Sequence, residues 1–219
     1  MPDFDLGRAL EGAAYGVLNE VLADFRTDDG FAIQSRYEVV LHPPTGSKGN
    51  QNLLNIFSTV MRQNTQDGTA RQTGLRCSQI VIPGRDIETV QDVNIYGPVR
   101  EIAQGVVYGD LNATFQLSQD LKERKLFETW QRCAYNPQTW AMQYYDSYTG
   151  SIDIYQLDTN DRRRYGVRLV ECFPKSVQPS LLDYGTPNSL QTMQVTFAYR
   201  YWKSLADEAN LPKPLGDRV

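Results

Sequence analysis

A chain of 219 residues with 41% hydrophobic content suits one packed domain with extensions. Its formal charge of −4 argues against a nucleic-acid-binding surface, which carries clustered Lys and Arg, and no window holds the ~18 apolar residues of a membrane anchor. The amino terminus, MPDFDLGRAL, lacks a basic region followed by an apolar run. A secreted destination is therefore not expected, and Cys77, Cys133 and Cys172 read as reduced, mostly buried thiols.

In chain order, residues 5–25 predict a helix, with Leu6, Leu10, Val17, Leu18, Val21 and Leu22 at three- and four-residue spacing and Asp5 as cap. Residues 1–30 form an amino-terminal extension. Arg36 to Leu41 predicts the first strand, ended by His42-Pro43-Pro44 because Pro donates nothing to a ladder. Residues 45–74 read as a polar inter-strand loop insertion, pinned by an apolar island at Leu53, Leu54, Ile56, Phe57, Val60 and Met61. A strand is expected at 75–82. Residues 85–96 and 99–108 then form a long hairpin around Gly97-Pro98, too polar to be covered by core on both faces and therefore a projecting arm.

Residues 111–117 alternate strictly, with Leu111, Ala113, Phe115 and Leu117 on one face. The period changes at Ser118, an N-cap for a helix over 119–134 whose apolar stripe is Leu126, Phe127, Trp130, Cys133 and Ala134, while Lys122, Glu123, Lys125 and Glu128 point elsewhere. Met142–Tyr148 is an aromatic segment. Ile152–Leu157 and Tyr165–Cys172 predict a hairpin around Asp158-Thr159-Asn160-Asp161, broken by Phe173-Pro174. Gln191–Trp202 predicts one long alternating strand, with Met193, Val195, Phe197, Tyr199 and Tyr201 on one face. Residues 206–219 read as a loosely ordered tail. The class is mainly β, with one flanking helix, an amino-terminal helix and a long inter-strand loop. Phe115, Leu126, Phe127, Trp130, Val195 and Phe197 are the expected core.

Catalytic chemistry finds few candidates. His42 is the single histidine and its place before two prolines suggests a structural or exposed role rather than a general base. No phosphate-binding loop, nucleophile elbow or zinc-binding helix motif occurs, and Asp158, Asn160 and Asp161 lack the Gly and Glu of a calcium loop. No catalytic, cofactor or metal site is predicted, and an enzyme is not expected. Arg162-Arg163-Arg164 is a basic run at a hairpin end, either solvated or paired with an acidic neighbouring subunit.

Four segments together resemble the tail tube family of contractile-tailed bacteriophages over residues 33–203. They are RYEVVLHPP, then LRCSQIVIPGRDIETVQDVNIYGPVREIAQGVVYGD, then LNATFQLSQDLKERKLFETWQ, and last VRLVECFPKSVQPSLLDYGTPNSLQTMQVTFAYRYW. The resemblance implies an antiparallel β-barrel or sandwich domain over 31–205 with one flanking helix. It also implies a structural virion protein, assembled in the host cytoplasm, whose hexameric rings stack into the inner tube of a contractile tail. Implied partners are other copies of the chain, the tail sheath protein, baseplate hub or tail terminator proteins, and phage DNA that passes through the lumen without specific binding. The helix at 5–25 and the 45–74 insertion depart from the simplest pattern, and keep open a tube-initiator ring on the baseplate hub. Two further alternatives are a ring of the same fold from a bacterial injection machine, and a monomeric β-barrel binding module using Trp140–Tyr148 as a platform. Expected inter-subunit contacts are Arg85, Glu88, Asp92, Tyr96, Arg100 and Glu101 on the arm, with Arg162, Arg163 and Arg164.

Overall fold

Alternation dictates the centre of the molecule. In the computed structural model, which describes residues 32–44, 68–93, 96–180, 182, 183, 185 and 189–205, β5 (Leu111–Gln116) buries Leu111, Ala113 and Phe115 and turns Asn112 and Gln116 outward. It pairs antiparallel with β8 (Thr192–Ala198) in the register Leu111↔Phe197, Ala113↔Val195 and Phe115↔Met193, so six buried apolar side chains face one way across two strands. The expectations for the helix at 5–25, for 45–67 and for the tail at 206–219 lie outside the described residues.

The remaining strands are β1 (Tyr37–His42), β2 (Cys77–Ile80), β3 (Asp86–Asp92), β4 (Arg100–Val107), β6 (Gly150–Leu157), β7 (Arg163–Val177) and β9 (Tyr201–Ser204). The main sheet runs β1-β6-β7-β8-β5-β2, with β9 added on β7, and every pairing is antiparallel. It is mainly β and open: β1 and β2 end the order without pairing, so no closed barrel forms among the described residues. Tyr37 Oη bridges the two ends by donating to the Cys77 carbonyl at 2.8 Å. A short helix, α1 (Thr69–Leu75), lies against β1, where Gly74 sits so close to the Val39 carbonyl that a Cβ would collide with it.

Over the buried face lies α2 (Lys122–Arg132), the flanking helix. Leu126, Phe127 and Trp130 are fully buried, and Phe127 packs tilted against Phe115 at 4.9 Å and edge-on to Phe197 at 5.7 Å. Trp130 lies 6.5 Å from Phe197 and donates its Nε1–H to the Tyr148 carbonyl at 2.7 Å, which satisfies its one polar atom in a dry site. Val195 belongs to the same cluster.

Five local expectations are corrected. The helix begins at Lys122 rather than 119, because Ser118 to Leu121 forms a turn first and Leu121 takes a left-handed conformation (φ 52°) at the N-cap. Glu123, expected to point outward, is buried. Pro174 does not end the strand. β7 runs on to Val177, and Pro174 falls at a register shift in the half of β7 that has β8 as its one partner, the edge-and-bulge setting a sheet accepts for Pro. Gln191–Trp202 is two strands, not one. β8 pairs with β5 and the far half of β7, whereas β9 pairs with the near half, Leu169↔Trp202 and Val167↔Ser204. The switch sits where Glu171 turns left-handed (φ 53°) and binds Arg200 at 2.9 Å. The insertion also ends earlier than expected, since 69–75 is helical and the strand after it shortens to Cys77–Ile80.

Candidate assembly surface

β3 and β4 form a separate two-stranded sheet that pairs only with itself. Apart from Asp92 and Gly105, both strands are exposed along their length. A classical hairpin of this kind is at best marginal in water, because neither face buries enough apolar surface to offset the ordering of its backbone. Yet Ile87, Val90, Ile102, Val106 and Val107 are large, apolar and open, and Tyr96 at the tip is 91% exposed. The arm is thus a surface short of a partner.

Its base is fixed to the body by four contacts. Trp202 Nε1 donates to the Gly84 carbonyl at 2.9 Å, and the Arg85 guanidinium lies 4.6 Å over the Trp202 ring. Tyr108 meets Tyr199 edge-on at 6.1 Å, and Lys175 Nζ reaches Asp110 at 2.6 Å. Arg85 is therefore engaged within its own chain. Register shifts between Glu88 and Thr89, leaving Gln104 as the extra residue of a bulge that adds local twist. Alternation then puts Asp86, Glu88, Val90 and Asp92 on one face with Val107, Gly105, Ile102 and Arg100 opposite them. Asp92 and Arg100 neutralise each other at 2.7 Å, and Glu101, on the other face, accepts from Thr89 Oγ1 at 3.3 Å. Asp86 and Glu88 make no ion pair among the described residues. Over 86–107 the arm carries Asp86, Glu88, Asp92 and Glu101 against Arg100, an excess of negative charge.

The β6–β7 hairpin end carries the opposite sign. Arg36 pairs with Asp161 at 2.8 Å, Arg164 with Asp158 at 3.0 Å, and Arg163 with Glu38 at 2.8 Å while lying 4.1 Å over the Tyr155 ring. Arg71 shares Glu38 at 3.6 Å. Arg36, Arg71, Arg162, Arg163 and Arg164 thus outnumber Glu38, Asp158 and Asp161, and Arg162 makes no ion pair among the described residues.

Two buried acids escaped the sequence reading. Glu123 Oε2 accepts from both the Ser118 N–H and Oγ–H at 2.8 Å, and Oε1 takes Arg76 at 2.7 Å. Burial alone would raise its pKa, but these bonds and the guanidinium win and hold it below the usual carboxylate range. Asp153, on the outer face of β6, is gripped by Arg168 through both oxygens at 2.7 and 2.8 Å and meets His42 Nε2 at 3.1 Å. Its pKa is lowered in the same way, against the pull of burial. His42 is thereby tied through Asp153 to Arg168 in a structural hydrogen-bond network. Burial pushes the Cys77 thiol up to about 12 and Cys133 to about 11, and raises Cys172 as well, so none is a ready thiolate at neutral pH. Among the described residues no three His, Cys, Asp or Glu side chains cluster as a metal site, and no helix is long and apolar enough to cross a membrane. Trp140, Met142 and Tyr144 stand exposed beyond α2, with Trp140 stacked on Tyr135 at 6.0 Å.

A family model described as phage tail tube protein matches residues 32–205, which takes in the whole sheet, the arm and α2. No curated protein matches the chain. Among solved structures, one from the baseplate of the anti-feeding prophage, in a six-fold symmetrised reconstruction, superposes with a TM-score of 0.55 at 15% identity, covering 80% of this chain and 95% of that one. A chain from the tube-terminating cap of the same particle gives 0.53 at 10% identity, covering 80% and 90%. A chain from the sheath-tube complex of an extracellular contractile injection system in its extended state gives 0.51 at 9% identity, again covering 80% and 90%. At these identities the likeness is one of fold.

Proposed function

This chain belongs to the phage tail tube protein family, and from that premise we propose that it is the repeating subunit of the inner tube of a contractile phage tail. Six copies close into a ring, rings stack into a hollow tube, and the tube conducts the genome inside its sheath, between the baseplate hub and the tail terminator. The observation that carries this reading is the β3–β4 arm, an exposed two-stranded sheet with open apolar side chains in a chain of a tube-building family. A monomer has no use for it and every reason to cover it. The open ends of the main sheet at β1 and β2 add edges that a closed ring uses up. A formal charge of −4 suits a conduit that DNA must traverse without binding, because carboxylates repel phosphates. The role is structural, and the site of action is the virion, after assembly in the host cytoplasm.

Negative-stain electron microscopy of the purified chain tests the proposal. Stacked tubes support it; single rings that never stack transfer the chain to the tube-initiator seat on the baseplate; monomers at every concentration overturn it.

A further inference from the structure

We infer that the acidic face of the arm of one copy docks on the Arg162 end of the β6–β7 hairpin of the next copy, so that the repeating contact is head-to-tail and electrostatic in origin. This rests on the reading that the chain assembles with itself, and adds which two surfaces meet.

Charge complementarity selects the occupant. The arm presents Asp86 and Glu88 without ion-pair partners among the described residues, on the face that also exposes Val90, Ile102 and Val107. The hairpin end presents Arg162 in the same condition, within a cluster where guanidiniums outnumber carboxylates, beside an exposed Tyr165 and the aliphatic stems of three consecutive arginines. Each surface offers the apolar contact and the charge that the other lacks. The ion pairs within the arm and within the hairpin end leave the negative excess of the one and the positive excess of the other uncancelled.

They do not meet within one chain. The arm leaves the body at Gly84, bonded to Trp202, which sits opposite Leu169 in β7. Arg162 lies seven positions further along, roughly 23 Å away at 3.3 Å per residue. Two different, complementary patches at separated places on one chain make a heterologous contact, which propagates from copy to copy instead of closing on a two-fold axis. An electrostatic contact also weakens with salt, since the screening length falls from about 10 Å at 0.1 M to about 3 Å at 1 M.

The test is a charge swap. Glu88→Arg and Arg162→Glu each alter an exposed side chain, so circular dichroism should show both variants folded. Each alone should lose the assemblies that the parent forms at the same concentration, and the double variant, E88R with R162E, should regain them. Arg162→Glu assembling like the parent, or a double variant no better than either single one, overturns the pairing while leaving tube formation intact. A second measurement does not depend on stacking. Glu88→Cys and Arg162→Cys chains, mixed and treated with a short bismaleimide, should give a cross-linked dimer of the two, because Cys77, Cys133 and Cys172 are buried. No mixed dimer from a preparation that forms tubes overturns the inference. A parent chain that never leaves the monomer overturns both this inference and the tube reading.

Discussion

Replacing Glu123 by alanine should destabilise the chain by about 3 kcal/mol, although an acidic residue on the first turn of a helix ordinarily contributes only about 0.3–1 kcal/mol. The magnitude follows from its three contacts. The Ser118 N–H loses its acceptor in a part-buried position, and an unsatisfied donor there costs about 1–3 kcal/mol. The Ser118 hydroxyl can rotate toward other acceptors, and Arg76, 43% exposed, returns to water, so that ion pair contributes about 1 kcal/mol at most. Arg76→Gln should therefore cost far less than Glu123→Ala. The acid limb carries a second signature. The native pKa of Glu123 lies below its ordinary value, so its stabilisation is complete above the ordinary glutamate range near ~4.3 and is lost as pH falls through the lowered native pKa. The alanine variant should accordingly show a shallower loss of stability below about pH 4 than the parent. Urea denaturation followed by far-UV circular dichroism, at pH 7 and at pH 3.5, reads both effects. A Glu123→Ala midpoint equal to that of the parent, or an Arg76→Gln loss as large, refutes the assignment of Glu123 as the clasp between α2, Ser118 and Arg76.

Trp130→Ala should cost about 3–5 kcal/mol, as deletion of a large buried aromatic does, and should prevent assembly; a variant with the parent's melting temperature that still forms tubes refutes it. Deleting residues 88–104 should leave a folded monomer without stacked rings, because the arm shares no core with the main sheet; sedimentation shows whether the particle has shrunk to one subunit, and intact tubes refute the role of the arm. Gly150→Ala should destabilise by about 1–3 kcal/mol, since the added methyl meets the His42 carbonyl and lies 2.8 Å from the Trp130 ring; thermal denaturation within a degree of the parent would show that this corner has slack.

Features that depend on one element and one face were legible from residues alone. Leu111, Ala113 and Phe115 declare a half-buried strand by their spacing, Leu126, Phe127 and Trp130 a helix stripe, and the mixture of charge and branched side chains over 85–108 an uncovered ribbon. Features that depend on who the neighbour is were not. Met193 to Tyr201 alternates without a break, so nothing local announces that the chain leaves β5 and the far half of β7 after Ala198 and joins the near half of β7 at Tyr201; the change is imposed from across the sheet, where β7 itself turns at Glu171. Glu123 escaped because the left-handed Leu121 rotates the start of α2, and a separation of five positions from Ser118 to Glu123 matches no capping pattern until that turn is known. Asp153 escaped because alternation along β6 puts it on the solvent side, where Arg168 then covers it. Pattern reports which face is apolar, and partners decide which face is dry. The arm is the case where those two statements part company: its sequence is that of a surface, yet it leaves large apolar side chains open on that surface. A partner that covers Val90 and Ile102 while meeting Glu88 would reconcile them, which is why the arm, rather than any pocket, is the place where this chain's function is to be sought.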